Sequence, residues 1–418
     1  MRKALILVSL LALVAGALPA NAGPNGPNKD FRMFGGGWGH GLGMSQWGAY
    51  GLAKDGWSAN KILKHYYSGT QVGVAEQPPK DLRIGLVQGE DSVRLEAQDG
   101  DLELRLSNPE SGTLVATIAP GQTWKVKAAG NNYRILDDSG TLVEQTGGPS
   151  NQLFVVYEPA GSRVRVPEAF HTYNRGSIEF DLYACTNNDC VMRLVLTLPP
   201  QDYLYGLAEV PSSWPVAALR AQAIAARSYA FTKAANSQHR PVCDCALYAS
   251  SFDQVYAGWD KESGLDGERW VSAVDDTDDE VVLAAGETIQ AFYMSSSGGY
   301  TENNENVWGG TPISYLRGVC DPGDYTTANP NATWEEIFTP GQVSKELGLG
   351  IGTVTNFANV VRGVSGRILT VTVMGANGQS SISGNTLQSL LSLNDDRVWI
   401  NADRLEEGEI REKYDALG

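Results

Sequence analysis

The sequence predicts an α+β protein with a mostly antiparallel β core, and three observations carry that prediction. From Leu82 to Pro167 the chain runs in short alternating segments (VRLEAQ, LELRLS, LVATI, TWKVKA, NYRIL, LFVVYE) separated by Gly, Asn, Asp and Pro. Period-two alternation between turn formers is the pattern of β-hairpins. Two further β-like runs, IEFDLYA and VMRLVLTL, flank a short tip bracketed by Cys185 and Cys190. The run AALRAQAIAARSYAF then continues without Gly, Pro or an acidic residue, which predicts a long helix over Leu219–Ala235 packed on that sheet.

At the start, MRK, the apolar run ALILVSLLALVAGAL and Ala20-Asn21-Ala22 form a secretory signal pattern over 1–22. That run is shorter than a membrane span, and no later one replaces it, so no transmembrane anchor is expected in the mature chain. Residues 23–30 read as a flexible leader, Ala59–Tyr67 as a helix, and 402–418 as a charged tail. The acidic run Asp275–Glu280 lacks the glycine and spacing of a calcium loop and reads as a solvated turn. With 32 basic against 48 acidic residues the net charge is −16, and no basic stripe offers itself to nucleic acid. Neither G-x-S-x-G nor H-E-x-x-H occurs, so a serine or metal hydrolase lacks its motif, and no cofactor is expected.

The five cysteines suit an exported protein. A disulfide across the hairpin tip, Cys185 to Cys190, is the preferred reading. Cys243, Cys245 and Cys320 leave room for one more bridge, whose connectivity spacing does not decide.

One carboxylate stands out. Glu209 lies among Leu207, Ala208, Val210 and Pro211, and the nearest acidic residues are Asp202 and Asp244. Burial without a charge partner raises a carboxyl pKa, as a general acid near neutrality requires. Ser212 or Ser213 suits a helix cap and Pro215 the first turn. The same Glu also fits a capping role, in which the positive helix end lowers its pKa instead.

The stretch YLYGLAEVPSSWPVAALRAQAIAARSY resembles the signature of the SpoIID/LytB family of bacterial peptidoglycan-binding and peptidoglycan-cleaving proteins. Glu209 falls on the family's catalytic Glu, with Val210 in place of the usual Met and Ser228 in place of the usual Thr. Asp253-Gln254-Val255-Tyr256, FYMSSSGGYTENNENVW and GVSGRILTVTVMGANGQSSISGNTLQSLLSL resemble later family elements in the same order. Phe34–Thr70, with GHGLGMSQ, resembles a block that usually closes the domain, yet here it opens the mature chain. The resemblance therefore implies a circular permutation, or a duplicated end whose partner is lost. It divides the chain into a displaced block at 31–73, a SpoIID-like catalytic domain at 80–107 and 162–401, and an inserted β module at 108–161 lying to one side. His40–Gln46 is expected near Leu369–Ile400, lining one cleft with Glu209.

The resemblance implies a secreted or wall-associated lytic transglycosylase that cuts between N-acetylmuramic acid and N-acetylglucosamine, with Glu209 as the single acid/base. His40, Ser45, Gln46, Gln222, Arg227, Ser297, Tyr300 and Glu302 are the expected substrate contacts, and Glu302 is the carboxylate that a hydrolytic variant would recruit. Peptidoglycan strands are the expected partner, with a cell-wall amidase as a second one. The alternative is a non-catalytic wall binder that enhances or scaffolds an amidase. Some relatives carry a His/Cys cluster resembling a zinc site; His239, Cys243 and Cys245 match half of it, while Phe252-Asp253 replace the rest. A structural zinc takes four ligands, so a disulfide is preferred over metal here.

Overall fold

The computed structural model describes residues 29–157, 161–187 and 189–401. The signal pattern expected at 1–22, most of the leader expected at 23–30 and the tail expected at 402–418 lie outside them. The chain is α+β, and its described residues divide into two compact units: 29–36 with 333–401, and Gly37–Ala332.

Two antiparallel sheets form the base of the larger unit. One has seven strands in the order Leu247–Tyr248, Leu82–Glu90, Asp189–Leu198, Ser177–Thr186, Leu153–Tyr157, Leu102–Leu106 and Thr113–Ile118. Only its first pair is parallel. The other has six, in the order Leu142–Thr146, Asn132–Leu136, Thr123–Ala129, Ser92–Ala97, Val164–Val166 and His171–Tyr173. Their alternation buries Leu102, Leu104, Leu153, Val155, Val93 and Leu95 in one apolar core, joined by Leu219, Ala223 and Ala226 of the long helix. Residues 108–161 do not lie to one side. Leu153–Tyr157 pairs with Ser177–Thr186 and Leu102–Leu106, and Thr123–Ala129 pairs with Ser92–Ala97, so the segment is woven into both sheets.

The long helix spans Val216–Asn236 and is buried on nearly every side, which its alanines permit. Pro215 is its cap rather than a first-turn residue: the Pro215 carbonyl accepts from the Ala218 and Leu219 amides, and neither Ser212 nor Ser213 caps it. Its apolar faces satisfy two neighbours at once, since Ala221, Ile224 and Ala225 pack in a second cluster with Met44, Ile62, Leu63 and Tyr66. No helix of the described residues is long and apolar enough to cross a membrane.

In the smaller unit, Phe31–Gly35 lies between Trp334–Phe338 and Val398–Ile400, antiparallel to both. A three-stranded sheet of Val354–Arg362, Ile368–Gly375 and Gly378–Ser383 and helices Pro340–Leu347 and Gly384–Leu391 complete it around Phe31, Met33, Phe357 and Val371. The block expected at 31–73 is thus divided. Its first strand pairs beside Val398–Ile400, whereas His40–Gln46 belongs to the unit that holds Glu209 rather than to that of Leu369–Ile400.

Cys185 bonds to Cys190 across the hairpin tip, and Cys243 bonds to Cys245; Cys320 takes part in neither bridge.

Candidate active site

Glu209 is presented by the turn between the short helix Pro200–Tyr205 and the long helix. Leu207 bridges to Tyr256, and the Ala208 amide donates to the Val255 carbonyl at 2.8 Å. Lying along Val255-Tyr256, the chain turns the Glu209 carboxylate back onto the Val255 amide, which donates to Oε1 at 2.6 Å. Gln46 Nε2 donates to Oε2 at 3.2 Å, and the Tyr293 hydroxyl also bonds the carboxylate. Behind it, Gln254, fully buried, gives its amide to Tyr293 Oη at 2.8 Å and accepts from the Tyr203 hydroxyl at 3.0 Å. Lys261 Nζ donates to the Val210 carbonyl at 2.6 Å and fixes the backbone just past the carboxylate. Burial pushes that lysine down to about 8.

Burial raises the Glu209 carboxyl above its ordinary range. The three hydrogen bonds favour the ionised form and pull it part of the way back, and no ionic partner among the described residues acts on it. An acid held up by desolvation, with donors ready for its conjugate base, suits a group that gives and later takes a proton.

Gln46 reaches this place because the GMSQ segment is folded against the strand Tyr293–Met294. Met44–Ser45 pairs parallel to it, and the Trp47 amide donates to the Ser295 carbonyl at 3.0 Å. Gly43 has φ +70°, and a Cβ there would lie 2.0 Å from the Phe292 carbonyl oxygen, so only glycine allows this approach. The chain neighbours of Gln46 and Tyr293 both enter aromatic groups. Trp47 packs with Trp214 and Tyr50 at centroid distances of 4.8 and 5.4 Å. Phe292 packs with Trp308 at 4.6 Å, and Trp308 with His40 at 5.0 Å. Trp308 is 53 % exposed and Trp38 51 %. The Leu42 amide donates to His40 Nδ1 at 3.0 Å, which leaves the neutral ring's proton on Nε2.

Other expected contacts fare differently. Gln222 is 2 % exposed, and neither atom of its amide has a hydrogen-bond partner among the described residues. Arg227, 1 % exposed, gives its guanidinium to the Glu280 and Val274 carbonyls and to Gln201, so its donors are used inside the fold. Ser45 caps the helix Gln46–Lys54 and bonds Asp324, and Ser297 bonds Asp321; both are fully buried and serve the turn rather than its surface. Tyr300 bridges to Cys320. Glu302 accepts from the Asn303 amide and the Asn306 side chain, a turn role separate from the three donors on Glu209. The sulfurs of Cys243 and Cys245 are spent on each other, and His239 Nδ1 pairs with Asp244 Oδ1 at 2.7 Å, so the weak zinc candidates form no shared ligand set.

Residues 189–283 match the family model described as stage II sporulation protein. The chain is 34 % identical over 199 residues to the amidase enhancer of Bacillus subtilis (strain 168), covering 45 % of this chain and 25 % of that protein. It is 25 % identical over 232 residues to stage II sporulation protein D of Bacillus amyloliquefaciens, covering 53 % and 64 %. Against the Bacillus subtilis (strain 168) stage II sporulation protein D, the identity is 27 % over 210 residues, covering 48 % and 60 %. In each case the chain spans less than two thirds of the relative's length. The match to the family model and these relatives agree: the chain carries a SpoIID-like segment at 189–283 and is similar to SpoIID-family proteins.

Proposed function

We propose that this chain is an exported peptidoglycan lytic transglycosylase that uses Glu209 as its single acid/base. The observation that carries this reading is the Glu209 carboxyl itself, raised by burial and met by Gln46, Val255 and Tyr293. Protonated, Glu209 donates to the glycosidic oxygen between N-acetylmuramic acid and N-acetylglucosamine as that bond breaks toward an oxocarbenium-like state. The carboxylate left behind is stabilised by its three donors. It then removes the proton of the muramic acid C6 hydroxyl, whose oxygen closes a 1,6-anhydro ring. No water is consumed, so the second carboxylate of a hydrolase is not required. Trp308 and Trp38 are the aromatic faces offered to the sugar.

Within this reading the block at 31–73 is the family's closing segment carried to the front. Two observations support it: Phe31–Gly35 pairs with Val398–Ile400, and Gln46 bonds Glu209. Residues 108–161 are then an addition that extends the family's sheets.

A second reading, a wall binder that enhances an amidase, is favoured by the likeness to the protein named amidase enhancer. The test is to incubate parent and Glu209→Gln with purified peptidoglycan. The enzyme loses solubilisation of the wall on substitution; a binder pellets with the wall equally well in both forms and releases nothing.

A further inference from the structure

Two buried carboxylates lie beside this site and take no part in the chemistry above. Asp321 caps the turn Pro322–Tyr325 and Asp324 lies within it, and both side chains are fully buried. Asp324 Oδ1 accepts from Ser45 Oγ at 2.8 Å and the Ser297 amide at 3.1 Å; Oδ2 accepts from Ser296 Oγ and the Gly298 amide, both at 2.8 Å. Asp321 accepts from the Tyr66 hydroxyl and Ser297 Oγ, both at 2.7 Å. All four oxygens face protein donors, so the pair is not arranged as a cation site. The donors come from three separate stretches: the GMSQ segment, the helix Ala59–Tyr66 and the Ser-Gly-Gly turn. The helix Gln46–Lys54 is pressed onto them, since a Cβ at Gly48 would lie 2.4 Å from both oxygens of Asp321.

The link to the site is short. Ser45 Oγ donates to Asp324 and accepts from the Gly48 amide, capping a helix whose first residue is Gln46. Gln46 in turn reaches Glu209 Oε2. We propose that the Asp321–Asp324 pair is a positioning device: through Ser45 it fixes the head of this helix so that Gln46 stays on the Glu209 carboxylate. This deepens the acid/base reading of Glu209 and rests on it for its consequence in catalysis.

A buried carboxylate without a cation is costly to fold, and the convergent donors offset that cost. What the arrangement yields is rigidity. Each donor is directional, so three stretches distant in sequence are held in one geometry to within a hydrogen bond's tolerance. Burial raises both carboxyls, and for Asp321 the neighbouring Asp324 charge adds to it.

The test reads the Glu209 carboxyl directly, by carbon-13 NMR titration of the full chain, in the parent, Ser45→Ala, Gln46→Ala and the double variant. Asp324→Asn is added as a fifth form, and because Ser45→Ala removes only a hydroxyl, the test stands even if Asp324→Asn does not fold. Losing a donor to an ionised acceptor moves the ionisation equilibrium about fivefold toward the acid. Ser45→Ala is expected to shift Glu209 in that direction and to add nothing in the Gln46→Ala background, a non-additivity that a merely structural Ser45 lacks. An unshifted Glu209 in Ser45→Ala, or an undiminished shift in the double variant, overturns the proposal. Wall cleavage is scored in parallel. If the parent cleaves nothing, the acid/base reading fails while the titration still decides the positioning.

Discussion

Removing the Gln46 side chain tests how the Glu209 acid is set. Gln46 Nε2 lies 3.2 Å from Oε2, longer than the ~2.7–2.9 Å of a strong charge-assisted bond. Hydrogen bonds to charged groups contribute about 1.5–3 kcal/mol. The length of this one and the partial exposure of Glu209 place it near the bottom of that range or below, at about 1 kcal/mol. The bond favours the carboxylate, so Gln46→Ala makes ionisation about fivefold harder. The sign is definite: Glu209 titrates at higher pH, and the alkaline limb of kcat/KM moves up with it, while the rate at the optimum falls as the conjugate base loses a donor. Carbon-13 titration of the Glu209 carboxyl, its signal assigned by loss in Glu209→Gln, reads the shift without depending on turnover. A Glu209 that titrates unchanged, or at lower pH, refutes the reasoning.

Three further outcomes are expected. Gln222→Met should leave the melting temperature unchanged or raised, read by thermal unfolding, because the buried amide has no partner among the described residues and such burial costs about 1–3 kcal/mol; a clear fall contradicts this. Asp321, whose carboxyl is raised in the folded protein by burial and by Asp324, destabilises the fold increasingly as pH rises from the ordinary aspartate range through its folded value. Asp321→Asn should therefore gain on the parent in melting temperature between pH 4 and 8, and a difference flat with pH contradicts this. Trp270→Ala should cost about 3–5 kcal/mol in denaturant unfolding, since that fully buried ring also donates Nε1 to the Leu204 carbonyl just before Glu209.

Much of this was readable from the chain. Alternation in the segments from Leu82 to Pro167 reports strands well, because most of them bury one face, as Val93 and Leu95 or Leu102 and Leu104 do. It says nothing of partners, which is why 108–161 reads as a separate module although Leu153–Tyr157 pairs with Ser177–Thr186. Glu209 and its apolar setting are local, hence visible. Tyr293 and Gln254 are not, since their meeting depends on pairings far apart in sequence. Ser45 illustrates a misassignment: a hydroxyl in a glycine-rich stretch reads as ligand-facing, yet a serine directly before a helical run is also the signature of a cap. Arg227 reads as a cleft cation because polar residues on a helix are usually exposed. This helix is enclosed on nearly every side, and the guanidinium ties neighbouring carbonyls instead. The Asp321–Asp324 pair, inside VCDPGDY, carries no periodicity at all, and only the folded chain brings Ser45, Tyr66 and Ser297 to it.

The most direct measurement is mass spectrometry of glycan fragments released from intact and from peptide-stripped peptidoglycan by the parent and by Glu209→Gln. The account predicts 1,6-anhydro-muramic ends from the parent and none from the variant. Reducing ends, or release undiminished by the substitution, contradict a single-carboxyl mechanism at Glu209.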